Sequence, residues 1–401
     1  MRVMVLAGSK WQIPFIKKLK EKGHYVINVN PYEDSPAFAY ADEFVLADIL
    51  DRERCLQIAK EKKVDAIMSE QCDIAVPVIA ELCEKLCLPT ISVYAAELYT
   101  DKWKMREFLK KNELPCPMYR KCTSYEQASE FLMTLGRKMI IKPMDSNSSH
   151  GVFTVYPRED FSERFSETLR FSKCEKAVLC EAYIEGTEFT VDGIQTREGH
   201  VSLAISEKKH FAHNENVASM LYFSHQNKRF DYEKLKKTND RYVELSGLPY
   251  GLTHAEYKYE NGEFVLIEIG ARGGGCLIAS HIVPVMSGVD NYELLISGME
   301  QNVIEKRPEP NADYRERCAV LKFFETPKGG GTVTAIKGKE LLERSENILA
   351  WQFNFKEGDE IVPAKDDSTR VGFYIAYGET EEELQQLMIQ IEETVTIELE
   401  G

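Results

Sequence analysis

The feature that most constrains this chain is the rhythm of its N-terminal segment, where short apolar runs alternate with helical patterns. Val3–Ala7 is an apolar run ending at Gly8-Ser9, a helical pattern over Pro14–Lys22 stops at Gly23, and Tyr25–Val29 is the next strand. Phe44–Ala47 reads as strand, Arg52–Lys62 as helix, Ala66–Met68 as strand, and Ile74–Leu86 as a helix closed by Pro89. Parallel strands need a crossover connection, so this alternation predicts a parallel α/β sheet with helices on both faces, over residues 1–97. The turn after the first strand, Gly8-Ser9-Lys10-Trp11-Gln12-Ile13, lacks the G-x-G-x-x-G fingerprint. A plain tight turn is the better reading, and a NAD-dependent oxidoreductase loses its main support.

The pattern changes after Pro115 and Pro117, which break a helix over Lys102–Asn112. Met139–Pro143, Ala177–Glu181, Phe189–Gln195, Val201–Ser206, Gly251–Tyr259 and Glu263–Ile269 read as strands, with helices near Glu159–Ser172 and Tyr232–Ser246. This is an α+β pattern, and it ends at the Pro-bearing stretch Arg307-Pro308-Glu309-Pro310-Asn311. Beyond it, Ala319–Phe324, Thr332–Ile336 and Val371–Tyr377 read as strands and Glu381–Glu393 as a helix. A chain of 401 residues exceeds one compact core, and these shifts divide it into 1–97, 98–306 and a small α+β domain over 307–401.

Charge narrows the function. With 50 Lys+Arg against 65 Asp+Glu, the net charge of −15 disfavours nucleic-acid backbones and anionic membranes while leaving room for a local basic pocket. The stretch Gly273–Val289 is broken by Gly273, Gly274, Gly275, His281 and Pro284, too short and interrupted to span a bilayer. No signal-type cleavage region follows the N-terminal apolar run. The ten cysteines contain no C-x-x-C pair, so neither a disulfide framework nor a zinc site is expected. A cytoplasmic enzyme or binding protein is the expectation.

Three constellations carry chemistry. Met139–Pro143 ends in Lys142-Pro143 and is followed by the polar loop Asp145-Ser146-Asn147-Ser148-Ser149-His150-Gly151. Backbone N–H groups and hydroxyls of such a loop hold phosphate oxygens while the lysine supplies point charge; an exposed turn with a snorkelling lysine reads equally well. Glu181 and Glu188 lie seven residues apart across Cys180–Glu188, which alone is a solvated acidic turn. His254-Ala255-Glu256-Tyr257 is followed, across the hairpin signal Asn261-Gly262, by Glu268-Ile269-Gly270-Ala271-Arg272 and a glycine run. Two glutamates facing each other there need a bridging cation, and Mg²⁺ with a nucleotide's phosphates suits them; an exposed hairpin face is the alternative. A strict two-residue turn pairs Glu260 with Glu263, sets Glu256 across from Ile267 and turns Glu268 to the other face. An odd-length loop or a bulge is therefore expected.

In order and spacing, these pieces resemble the ATP-grasp superfamily over most of the chain. The resemblance implies a Rossmann-like N-terminal domain, an ATP-grasp domain over 98–306 and the end domain of amino-acid ligases and biotin-carboxylase-like enzymes. It also implies roles. Lys102 and Lys142 neutralise ATP phosphates, while Ser149 and Gly151 cap those being transferred. Glu181 with the backbone of Ala182 and Ile184 meets adenine, and Glu188 meets the ribose. Glu256 and Glu268 bind Mg²⁺, with Mn²⁺ as an alternative, and Arg272 stabilises the reacting acyl group. Departures are Gly270, where many relatives carry a metal-binding Asn, His150 in place of a common Arg, and His254 two residues before the first metal glutamate.

The implied activity is an ATP-dependent carboxylate–amine ligase working through an acyl phosphate, with an amino acid as substrate. The alternatives are a bicarbonate-activating or purine-pathway enzyme and, from another class, a nucleotide-binding protein without turnover. Its partners are small-molecule carboxylates and amines, with a homodimer among the assemblies left open. The segment Glu207–Asn216, with His210 and His213, reads as a loop at the substrate end of the cleft that handles an amine's proton, or as a plain exposed loop.

Overall fold

The computed structural model describes residues 1–144, 151–172, 175–327 and 329–400. Among these, the strands form four sheets. The first holds Arg2–Leu6, Tyr25–Asn30, Glu43–Leu46 and Ala66–Met68, all parallel, in the spatial order 43–46, 25–30, 2–6, 66–68. Helix Ile13–Glu21, the 3₁₀ turn Pro36–Tyr40 and helix Arg52–Lys62 connect them in chain order, and helix Ala75–Leu86 follows the last strand. Gly8-Ser9 opens a short 3₁₀ turn: the Ser9 hydroxyl accepts the Trp11 N–H, while the Gln12 side chain accepts the Ser9 N–H.

A second sheet, antiparallel, joins Tyr119–Cys122, Val178–Ala182, Met139–Pro143 and Phe153–Val155. Helices Tyr125–Leu135 and Ser162–Phe171 cover it, packing Phe131, Phe161 and Phe165 on Ile141, Val178 and Cys180. The third sheet has eight antiparallel strands in the order 263–270, 251–260, 188–196, 199–211, 214–224, 318–323, 372–378, 348–353. It is continuous across the Pro-bearing stretch 307–311, because Cys318–Phe323 pairs with Asn214–Ser224. Glu360–Ile361, Gly331–Lys337 and Thr396–Leu399 make a small sheet at the C-terminal end.

One expectation is corrected here. Glu207–His210 is not loop: the strand runs from Gly199 to Phe211, turns at Ala212-His213 and returns from Asn214 to Ser224. The run of charges hid the alternation that continues through it, Ser206, Lys208 and His210 on one face against Ile205 and Glu207 on the other. That alternation governs the whole large sheet. Phe189, Val191, Ile205, Ala255, Tyr257 and Leu266 point one way and pack beneath helix Tyr232–Ser246. Glu188, Thr190, Asp192, His254, Glu256, Lys258, Ser206 and Lys208 therefore share the opposite face. Among the described residues no helix is long and apolar enough to cross a membrane.

Candidate active site

Helix Lys102–Lys111 ties the second sheet to the third. Asp101 caps its first turn by accepting the Lys104 N–H, and the Lys102 N–H donates to the Met144 carbonyl at 3.0 Å. From its first residue, the Lys102 ammonium reaches Glu268 Oε1 at 2.9 Å. One turn on, the fully buried Arg106 guanidinium donates from Nε to Glu181 Oε1 at 2.6 Å and from one terminal nitrogen to the Ile267 carbonyl at 2.7 Å.

Lys142 ends the strand Met139–Pro143 with its ammonium 2.8 Å from Glu181 Oε2 and only 6% of its side chain exposed. It does not snorkel. Burial pushes the Lys142 ammonium down to about 8, against the pull of Glu181. Burial alone would raise the Glu181 carboxyl, yet Arg106 and Lys142 outweigh it and hold Glu181 down to about 2. The buried carboxylate is thus ionised and fully engaged by two cations. The Ala182 N–H donates to the Met118 carbonyl, whereas the N–H of buried Ile184 makes no hydrogen bond among the described residues and remains available to a ligand.

On the polar face of the large sheet, Glu256 sits directly opposite Glu268. The turn is the two-residue kind, with Asn261 at φ 53° and Gly262 at φ 86°, and the ladder pairs Glu260 with Glu263. A bulge at Ile267 then shifts the register by one and restores Glu268 to the face of Glu256. Like charges directly opposed across an antiparallel pair repel. Lys208 and Lys102 offset that here: Lys208 Nζ lies 3.2 Å from Glu256 Oε1 and 2.5 Å from Glu188 Oε1, and Lys102 takes Glu268. Burial would raise Glu188, but Lys208, His210 and Lys258 hold it well below the usual carboxylate range. Burial would lower Lys208, but Glu188 and Glu256 hold it above the ordinary lysine value.

Arg272 makes a two-pronged pair with Asp73 of the N-terminal segment, 2.8 Å at each contact. That pair accounts for Gly270. A Cβ there would fall 2.9 Å from Asp73 Oδ1 and 3.4 Å from the Arg272 side chain, so the space of a side chain at 270 is taken by the ion pair. Gly151, at φ 71°, packs against Phe171 and Pro143, and its carbonyl accepts the Thr168 hydroxyl at 2.8 Å. Ser149 lies outside the described residues.

The structure thus groups the predicted residues in two connected chains of charge. Lys142–Glu181–Arg106 is one; Lys102–Glu268 and Glu256–Lys208–Glu188 form the other; the Arg106–Ile267 contact joins them. Arg272 stands apart with Asp73. Four participants escape a reading of the sequence: Asp73, Arg106, Asp192 and Lys208. Alternation from Glu188 through Thr190 to Asp192 would have revealed one of them; nothing local marks Asp73.

Glu256 and Glu268 fit a hard divalent cation, being two hard oxygen donors on one rung whose repulsion such a cation removes. Among the described residues no third His, Cys, Asp or Glu joins them.

Residues 135–280 match the ATP-grasp domain, and residues 323–400 match the L-amino acid ligase C-terminal domain 2. The chain is similar to the phosphoribosylamine–glycine ligase of Thermococcus gammatolerans, 25% identical over 350 residues covering 82% of this chain and 77% of that protein. It is also similar to the alanine–anticapsin ligase of Bacillus subtilis (strain 168), 27% identical over 269 residues, 61% of this chain and 56% of that one. In fold it matches the crystal structure of an L-amino acid ligase from Bacillus licheniformis at a TM-score of 0.81 and 21% identity, over 100% of this chain and 99% of that one.

Proposed function

We propose, for a chain that belongs to the ATP-grasp superfamily, that it is an ATP-dependent carboxylate–amine ligase with an amino acid among its substrates. The observation that carries this reading is the opposed pair Glu256–Glu268 between two lysines, beside a buried strand-end lysine and a free hinge N–H. That is the donor set a Mg²⁺–nucleotide needs, not that of a fold emptied of chemistry. Both relatives described above are, by name, ligases that use an amino acid, and the C-terminal domain match supports the same class.

In the first step a carboxylate oxygen of the substrate attacks the γ-phosphorus of ATP, the bond to the β,γ-bridging oxygen breaks, and ADP leaves an acyl phosphate. In the second, an amine nitrogen attacks the acyl carbon, the bond from that carbon to the phosphate oxygen breaks, and the departing inorganic phosphate takes up the proton the nitrogen loses. Lys102 and Lys142 neutralise phosphate oxygens, with Ser149 and Gly151 capping the transferred group. In the hinge the free Ile184 N–H meets the adenine, while Glu181 and the Ala182 N–H, both engaged within the protein, shape its pocket, and Glu188 meets the ribose. Glu256 and Glu268 would hold Mg²⁺, which when bound would neutralise charge on the nucleotide's phosphates. Arg272, aligned by Asp73, meets the reacting acyl group. Positioning and charge neutralisation, rather than covalent catalysis by a side chain, are the protein's contribution. The partners are small molecules and the setting is cytoplasmic. Measuring Mg²⁺-dependent phosphate release from ATP against amino acids, singly and in pairs, and against bicarbonate tests the assignment. Release with bicarbonate alone would replace it by the carboxylase reading.

A further inference from the structure

The polar face of the large sheet does not end at the opposed glutamates. Two residues beyond Glu256 on the same strand, His254 is paired with Asp192 on one side and Gly270 on the other. Residues two apart on a strand share a face and lie about 7 Å apart. The direction of this step is fixed by Lys258 on the other side of Glu256, whose ammonium lies 3.4 Å from the Tyr183 hydroxyl of the adenine hinge. The order Lys258, Glu256, His254 therefore runs from the hinge, past the metal rung, to the far end of the cleft. Beyond His254 the face turns apolar, with Leu252 and Ile194 in the core of Ile278 and Ile282.

His254 is held there by built contacts. Its Nδ1 lies 3.0 Å from Asp192 Oδ1, which also accepts the Gly274 N–H at 3.0 Å. Gly274 lets the backbone close over the pair, since a Cβ there would fall 2.6 Å from Asp192 Oδ1 and 2.9 Å from His254 Nδ1. With Nδ1 engaged by Asp192, Nε2 is the ring nitrogen left to meet a ligand. Among the described residues Nε2 has no hydrogen-bond partner, and neither has the buried Asp192 Oδ2. The contrast with His200 in the same sheet is direct: its Nδ1 meets Asp240 at 2.7 Å and its Nε2 meets the Thr253 hydroxyl at 2.8 Å, leaving nothing to bind.

We propose that the Asp192–His254 pair is the binding site of the acyl acceptor, a primary amine of the amino-acid type. His254 Nε2 accepts one amine N–H and so orients the nitrogen toward the acyl group formed at the neighbouring rung. Asp192 is a positioning residue that fixes the imidazole's tautomer. This rests on the ligase reading above and adds to it where the second substrate binds.

The test separates the two half-reactions. Positional isotope exchange in ATP labelled at the β,γ-bridge, with one amino acid as the carboxylate and no second amino acid added, reports acyl-phosphate formation; the KM for the accepting amino acid in amide synthesis reports the second site. His254→Ala should raise that KM about tenfold or more while isotope exchange falls less than about threefold. Asp192→Asn should raise it as well, because the carboxamide N–H donates to Nδ1 and turns Nε2 from acceptor into donor. His254→Gln, which keeps an acceptor oxygen, should recover part of the loss. An unchanged amine KM in the alanine and asparagine variants, or equal losses in both assays, would overturn the assignment. Absence of isotope exchange in the wild type with every amino acid would overturn the ligase reading and this site with it.

Discussion

Glu256 and Glu268 face each other because one residue, Ile267, is left out of the ladder between them. From the turn at Asn261-Gly262 the pairing runs in step as far as Tyr257 with Leu266, and without the bulge Glu268 would point away from the cleft. The Ile267 carbonyl freed by the bulge is taken by Arg106, whose Nε holds Glu181 in the nucleotide hinge. The opposed glutamates and Glu181 are therefore tied together by one buried guanidinium.

Removing that guanidinium should be expensive. Arg106→Met leaves Glu181 with Lys142 as its remaining cation and the Ile267 carbonyl unheld, and breaking a buried pair from one side typically costs about 3–5 kcal/mol. Urea unfolding should show a loss of that order, with Arg106→Lys recovering part. A loss below about 1 kcal/mol, the range of exposed pairs, would contradict the role given to Arg106.

Lys142 makes nucleotide binding depend on pH. Its folded value of about 8 lies below the ordinary 10.5, so between these values the unfolded chain binds more protons and this group's contribution to stability rises with pH. Below about pH 8 the full penalty of the buried ammonium stands. Binding runs the other way, since phosphate needs the ammonium: ATP affinity measured by calorimetry should fall as pH rises through about 8. Lys142→Ala should bind ATP weakly and lose that dependence. Unchanged affinity in the alanine variant would return Lys142 to a structural role.

The charge at the metal rung should be needed in full. Glu256→Gln and Glu268→Gln keep the side chain's shape but halve the carboxylate charge. Turnover should fall about two orders of magnitude and require more Mg²⁺, with the circular dichroism spectrum unchanged. A glutamine variant with normal turnover at normal Mg²⁺ would remove the pair from metal binding.

Gly270→Asn, which installs the residue many relatives carry, should not improve the enzyme. The new Cβ, 2.9 Å from Asp73 Oδ1, must displace the carboxylate that aligns Arg272. Turnover should drop about tenfold while nucleotide affinity, read by calorimetry, changes little. A more active variant would show that the ion pair is dispensable.

What the sequence made legible was local. The parallel N-terminal sheet follows from alternating strand and helix patterns, and the hairpin follows from Asn261-Gly262. Requiring both glutamates on one face calls for an odd-length loop or a bulge; that the turn keeps two residues and the bulge falls at Ile267 is not in the sequence. Lys208 was hidden in a charged run that resembles a loop, where only a period of two betrays the strand. Arg106 looks like a solvated helix charge until the second and third sheets close over it. Asp73 lies 199 positions from Arg272 along the chain, and no spacing rule reaches that far. The site residues that escaped are those whose partners are brought by tertiary packing, with Asp192 the exception that strand alternation would have caught.

The central claim is that this cleft joins a carboxylate to an amine at the cost of the γ-phosphate. Purified chain should be incubated with ATP, Mg²⁺ and pairs of amino acids, and nucleotide, phosphate and amide products quantified together. The account predicts ADP, inorganic phosphate and a dipeptide in equal amounts, each dependent on both amino acids. AMP with pyrophosphate, or ADP released without any amide product, would contradict it.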